Sequence, residues 1–263
     1  MISVIVCSTL PAPPADWEAD LRLHIGMPSE LIWMHNPGRK SISAQWNAGA
    51  EQANHPYLCF MHDDARVMTP DWGQKVLNHL GAGVEVIGIA GSCYRSAYPS
   101  GWMSGVAGCD YYHVCHVQNG KHHWWSNRKE GELYSPVLVA DGVWLCCSKA
   151  HWKQIPFSES LYAHFHFYDV DFTWRSSRNH VVAVVHDIDI LHNSKGRFDS
   201  NWIAAALAYC QYNKGGELPA YLGPLPADIS DCEAQVRRFW KQRLKGEPIS
   251  LWARLRWHWQ SFS

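Results

Sequence analysis

Four short apolar runs, spaced by helix-like segments, constrain this chain more than any other feature. "ISVIVCS" (2–8), "ELIWMHN" (30–36), "YLCFM" (57–61) and "VEVIGIAGS" (84–92) have strand length and β-branched or aromatic character. "DWEADLRLHIG" (16–26) reads as a helix with Asp16 as its N-cap and Gly26 past its end. "SISAQWNAGAEQAN" (41–54) reads as a second helix capped by Ser41, and "DWGQKVLNHLG" (71–81) as a third. Pro11, Pro13, Pro14 and the Pro37-Gly38 pair break the chain between them. Strand and helix alternating at this rhythm predict an α/β fold with a mostly parallel, Rossmann-like sheet and right-handed crossovers.

After Gly91 the rhythm stops. Residues 93–135 are rich in Gly, His and aromatics without a helical period, and read as loops with a hairpin turning at Asn119-Gly120. A strand follows in "VLVADGVWLCCSK" (137–149), then a helix from Asp169, a strand in "VVAVVHDIDILHN" (181–193) and a helix near 199–213. The simplest partition is one domain over 1–213, with 93–135 as an insertion, and a basic, aromatic C-terminal tail over 214–263.

Charge is balanced, 23 Lys+Arg against 24 Asp+Glu, so bulk electrostatics gives no reason to expect nucleic acid. The nine cysteines form no C-x-x-C pair and mostly sit in apolar runs, the pattern of reduced, buried thiols. The N-terminus lacks a basic n-region, and no apolar stretch approaches the roughly 18 residues of a membrane span. The expectation is a cytoplasmic protein, with the inner face of the membrane as an added location through the tail. There Arg237, Arg238, Lys241, Arg243 and Lys245 precede Trp252, Arg254, Arg256, Trp257 and Trp259. That mixture suits an interfacial helix on anionic lipid, or equally a helix packing its tryptophans on the domain. Fifteen tryptophans fill cores first, but also offer flat platforms for sugar rings.

"YLCFMHDDARV" raises the functional question, because a buried strand runs straight into His62, Asp63 and Asp64. In open α/β sheets ligands bind beyond the carboxyl ends of the strands. Two adjacent carboxylates there repel each other unless a cation or donors compensate. They read either as holders of a hard divalent ion or as caps of the next turn.

The run "MHDDARVMTPDW" resembles the metal-motif segment of GT-A glycosyltransferases, in particular the bacterial family-2-like branch related to the streptomycin-cluster StrF protein. "NPGRKSISAQWNAGAEQA", "VIGIAGS", "PSGWMSG", "VLVADGVWLCCSK", "FHFYDVDFTWR" and "ILHNSKG" resemble further segments of that family in order, over residues 2–202. The acidic pair departs from the spaced Asp-x-Asp pattern, and Tyr168-Asp169 stands where Glu-Asp is common.

The resemblance implies a GT-A-like fold that moves a sugar from a UDP- or GDP-sugar to a hydroxyl of a saccharide or lipid-linked acceptor. Mn2+ or Mg2+ would be the cofactor, held by Asp64 and His192, with inversion and Asp169 as base. Asp63 would turn to the ribose or share the metal. Ser8, Thr9 and Asn36 would meet the base, and Lys40, Asn47 and Lys195 the rest of the donor. Asp141 would contact the donor sugar, and His166 and Trp102 the substrates. His164, Arg197, Trp124 and Trp125 are further contacts that serve packing or solvation equally well. Asp171 reads as an N-cap or as the i,i+4 partner of Arg175. Two alternatives stay open: a catalytically silent carbohydrate or nucleotide binder of the same fold, and another metal-dependent nucleotide-sugar enzyme.

Overall fold

The computed structural model describes residues 1–128, 130–161, 165–192, 196–214, 218–223 and 228–259. The expected alternation is present: β1 (Ile2–Ser8), α1 (Ala15–Ile25), β2 (Ser29–His35), α2 (Ile42–Gln52), β3 (Tyr57–His62), β4 (Ala65–Val67) and α3 (Trp72–Gly81). Then come β5 (Val86–Gly88), β6 (Ala90–Ser92), β7 (Tyr94–Arg95), β8 (Asp110–Gln118), β9 (Lys121–Ser126), β10 (Tyr134–Val137), β11 (Val139–Ala140) and β12 (Trp144–Ser148). The chain continues with α4 (Lys149–Gln154), α5 (Tyr168–Ser177), β13 (Val182–Val185), β14 (Ile190–His192), α6 (Ser200–Tyr212), β15 (Ala220–Tyr221), α7 (Ile229–Arg243) and α8 (Leu251–Trp259).

The main sheet has seven strands in the order β10-β13-β5-β12-β3-β1-β2. β1 pairs in parallel with both β2 and β3, and β13 with β5, while β12 runs antiparallel to β3 and β5, and β10 to β13. Both faces are covered, which is why the strands read as nearly continuous apolar runs. Ile2, Val4 and Val6 point to the side of Trp17, Leu21 and Trp72 from α1 and α3. Ile5, Leu58 and Phe60 point to the side of Trp46 and Phe172 from α2 and α5.

Several expectations are corrected. Asp16 does not cap α1: Pro14 holds extended backbone up to Ala15, so the cap falls two residues early, and Asp16 lies in the first turn. Gly26 ends that helix in the left-handed conformation, and Ser41 caps α2 by accepting from the Ala44 N–H at 3.2 Å. "VEVIGIAGS" is not one strand. It divides at Ile89, with β5 in the main sheet and β6 in a second sheet of order β11-β6-β8-β14-β4. "VLVADGVWLCCSK" breaks at Asp141-Gly142, and "VVAVVHDIDILHN" breaks between β13 and β14. His192 is therefore not carried by a strand of the main sheet. It ends β14, which pairs antiparallel with β4 so that His192 faces Ala65, one residue after Asp64.

The hairpin over β8 and β9 turns at Asn119-Gly120 as expected, with φ of 52° and 71° at the two turn residues and Gln118 opposite Lys121. The helices over 228–259 pack against the protein. Cys232, Val236, Trp240, Leu244 and Trp257 share a core cluster with Tyr98, Val139, Phe167, Trp202 and Tyr209.

Candidate active site

The chain leaves β3 at His62, turns through Asp63 and Asp64, and enters β4. Because β14 is zipped to β4, His192 arrives beside that turn. His192 Nε2 lies 3.4 Å and His62 Nδ1 4.0 Å from Asp64 Oδ1. One ligand atom from each of the three residues fits within 4.8 Å of the others. The His62 imidazole and the His192 backbone are each held from behind. His62 Nε2 bonds the Tyr168 hydroxyl at 2.7 Å, which leaves Nδ1 toward Asp64; for His192 it is the backbone that is held, since His116 Nδ1 donates to the His192 carbonyl at 2.6 Å. An outer bond such as that from Tyr168 orients a metal-binding imidazole.

Burial, then the neighbouring His192, lowers the His62 pKa. Burial alone would raise the Asp64 carboxyl, but His192 and His62 outweigh it and hold the group below its usual range. His192 Nε2 is buried without a hydrogen-bond partner and stands 3.4 Å from the Asp64 carboxylate. Two imidazole nitrogens plus one carboxylate fit a divalent cation. Two nitrogens favour Mn2+ over Mg2+, which prefers an all-oxygen shell.

Asp63 faces the other way and accepts from the Ser8 hydroxyl at the end of β1. Thr9 follows Ser8 on the exposed surface. Asn36 receives the next strand end: its N–H donates to the Ser8 carbonyl at 2.7 Å, and its side-chain oxygen accepts from Arg39 N and Lys40 N. The side chain thus shapes the 36–40 loop. That loop, with Gln45, lines an open cleft of about 510 Å³ carrying His35, Arg39 and Lys40. Asn47 is committed elsewhere. Its amide holds the Phe157 backbone, Glu159 and the Trp152 indole to α2.

Asp169 sits in the first turn of α5, where its carboxylate accepts from Gly142 N at 2.8 Å, and Asp141 accepts from Val143 N at 2.9 Å. Burial first, and Asp141 second, push Asp169 up to about 7. Asp171, two residues on, bonds Arg175 at 2.8 Å as the i,i+4 spacing implies. Trp102 lies 6.1 Å from Trp125, which stacks on Tyr112 at 3.9 Å. His166 stands 3.8 Å from Asp199. Lys195 and His164 fall outside the described residues.

The structure thus joins Ser8, Asp63, Asp64 and His192 around the β3–β4 turn, and Asp141 with Asp169 at the start of α5. His62, Tyr168 and His116 were not singled out from the sequence as part of this group. For His62 the signal was available, since it adjoins the acidic pair. Tyr168 and His116 carried none, because their roles come from contacts across 106 and 76 residues.

The profile of the glycosyltransferase-like family matches residues 16–216. Among solved structures, a crystal structure of S. aureus TarS 1-349 in complex with UDP-GlcNAc is 11% identical, with a TM-score of 0.52, over 94% of this chain and 73% of that one. A197 from STIV is 12% identical with a TM-score of 0.42, over 74% of this chain and 87% of that one. No curated protein matches in sequence. The chain belongs to the glycosyltransferase-like family: it is a sugar transferase on a GT-A-type mixed α/β fold.

Proposed function

We propose that this protein transfers a sugar from a UDP- or GDP-sugar to a saccharide or lipid-linked hydroxyl acceptor with inversion, as a member of the StrF-like branch acting at the cytoplasmic side of the membrane. The observation that carries the proposal is the convergence of His62, Asp64 and His192 at one strand end, with Asp169 on the neighbouring helix start. Mn2+ fits the first group, and Lewis-acid stabilisation of the departing diphosphate is the chemistry a cation supplies there. The rest falls to side chains. The 35–40 cleft with Arg39 and Lys40 would take the nucleotide. Ser8 would hold Asp63 in place, and Asp141 would meet the transferred sugar. Asp169, with its pKa near neutrality, would accept the acceptor hydroxyl's proton as the new bond forms. The UDP-GlcNAc complex of the TarS structure supports trying uridine nucleotides first.

The test is stabilisation by UDP and GDP with Mn2+ or with EDTA, since a ligand that binds the folded state raises its melting temperature. The expected outcome is a larger shift with Mn2+ that Asp64→Asn abolishes. Equal shifts with and without metal would remove the cation from donor binding. A metal-dependent shift without turnover of any sugar nucleotide would favour the silent binder.

A further inference from the structure

We propose that α8 docks the protein on an anionic lipid bilayer, which deepens the membrane location proposed above and is tested without reference to transferase activity. Overall charge balance conceals a strong asymmetry. Residues 237–259 carry seven Lys and Arg against Glu247 alone, whereas the remaining chain carries 16 against 23 acidic residues. The basic segment is held firmly. Trp257 is 3% exposed and its indole donates to the Pro99 carbonyl at 2.9 Å, while Trp240 donates to the Met103 carbonyl at 2.9 Å. Arg254 closes the link between α7 and α8 by donating to the Leu244 and Glu247 carbonyls.

With Trp257 fixed inward, the opposite face of α8 is forced outward. At about 100° per residue, Leu251, Trp252, Leu255 and Trp259 fall within an arc of roughly 100°, centred almost opposite Trp257. Leu251 is 71% exposed, Trp252 78% and Trp259 81%. Nothing in core packing explains large apolar side chains on that side of a helix whose other side is already anchored. Arg256 lies exposed at the edge of the arc, and Lys241 of α7 is exposed and close enough to His258 of α8 to add to burial in lowering its pKa. Apolar and indole groups across the exposed arc, with cations beside it, match a surface of acyl chains beneath anionic headgroups. A folded acidic protein would answer the charges but leave the apolar arc without a counterpart.

The experiment is co-sedimentation of the full chain with vesicles of phosphatidylcholine, alone or with about one-third phosphatidylglycerol. Binding is expected to the anionic vesicles, weakening as salt is raised from about 0.05 to 0.5 M. Leu251→Glu with Trp252→Glu should reduce it at least tenfold with an unchanged circular dichroism spectrum, since both side chains lie outside the core. Lys241→Gln and Arg256→Gln should each weaken it by roughly fivefold. Failure of the wild type to bind anionic vesicles at low salt would overturn the proposal, as would undiminished binding by the Leu251/Trp252 double variant. So would a solution dimer that this variant dissolves while vesicles leave the wild type unbound.

Discussion

At the scale of single residues the site depends on two neighbours at the start of α5, Tyr168 and Asp169. Asp169 enters the folded state with its pKa raised from an ordinary 3.8 to about 7. The folded chain therefore keeps a proton that the unfolded chain has released. The stability this brings is complete below about pH 4 and is lost as pH rises through 7. If Asp169 is the base as proposed, its basic form appears over the same window, so activity should climb as this contribution to stability falls. Asp169→Asn removes both effects. Transfer is expected to drop by a factor on the order of 10²–10⁴, donor binding to persist, and the melting temperature at pH 8 to equal or exceed the wild type's. Full activity of the variant would remove Asp169 from the mechanism and turn attention to Asp141. Tyr168→Phe tests the other neighbour. It keeps the ring but removes the hydroxyl that orients His62, so Mn2+ affinity measured by titration calorimetry should fall about 10- to 100-fold. The places of Asp64 and Asp169, at a strand end and a helix start, could be read from the sequence because both are local, while their proposed roles came from the family resemblance alone. Tyr168 could not, because its role depends on a contact with a strand 106 residues away.

At the scale of elements, the parts of the sheet that local pattern could reveal were legible, and the crossings between sheets were not. Alternation fixed β1, β2, β3 and the helices between them. A continuous apolar run such as "VEVIGIAGS" looks the same whether it stays in one sheet or changes sheets midway. Here it changes at Ile89, whose carbonyl accepts from His113 N of β8. The same ambiguity hid the antiparallel direction of β12 and the pairing of β14 with β4, which delivers His192 to Asp64. Close approach at Gly142 couples this topology to chemistry. A Cβ there would stand 2.3 Å from the Tyr168 hydroxyl oxygen and 2.6 Å from a ring carbon. The buried ring has little freedom to yield, so Gly142→Ala should displace the hydroxyl from His62. A stability loss of about 1–3 kcal/mol in urea unfolding is expected, together with weakened Mn2+ binding. If stability falls but metal affinity does not, the Asp141-Gly142 turn supports the fold without setting the site.

At the scale of the whole molecule, the C-terminal helices belong to the core as firmly as the central strands do. Composition marked residues 237–259 as basic and rich in tryptophan, but could not say which indoles turn inward. The structure divides them: Trp240 stacks on Trp202 at 4.7 Å and Trp257 packs edge-on against Tyr98 at 5.0 Å, whereas Trp252 and Trp259 face outward. Gly101 and Gly105 lie directly against Trp240 and Phe239, so the loop that carries Trp102 rests on α7. Cutting the chain before Asp228 would strip Cys232, Val236, Trp240, Leu244, Ile249 and Trp257 from one buried cluster. At about 1.5–3 kcal/mol for each large apolar side chain, the loss is on the order of 10 kcal/mol, similar to the total stability of an ordinary domain. The truncated chain should therefore aggregate or melt without a cooperative transition, and should not survive as a soluble transferase. Trp257→Ala alone should lower stability by about 3–5 kcal/mol while leaving a cooperative fold. Calorimetry of both, beside the intact chain, decides the matter: a truncated protein that melts cooperatively near the wild-type temperature would show that the domain closes its core without α7 and α8.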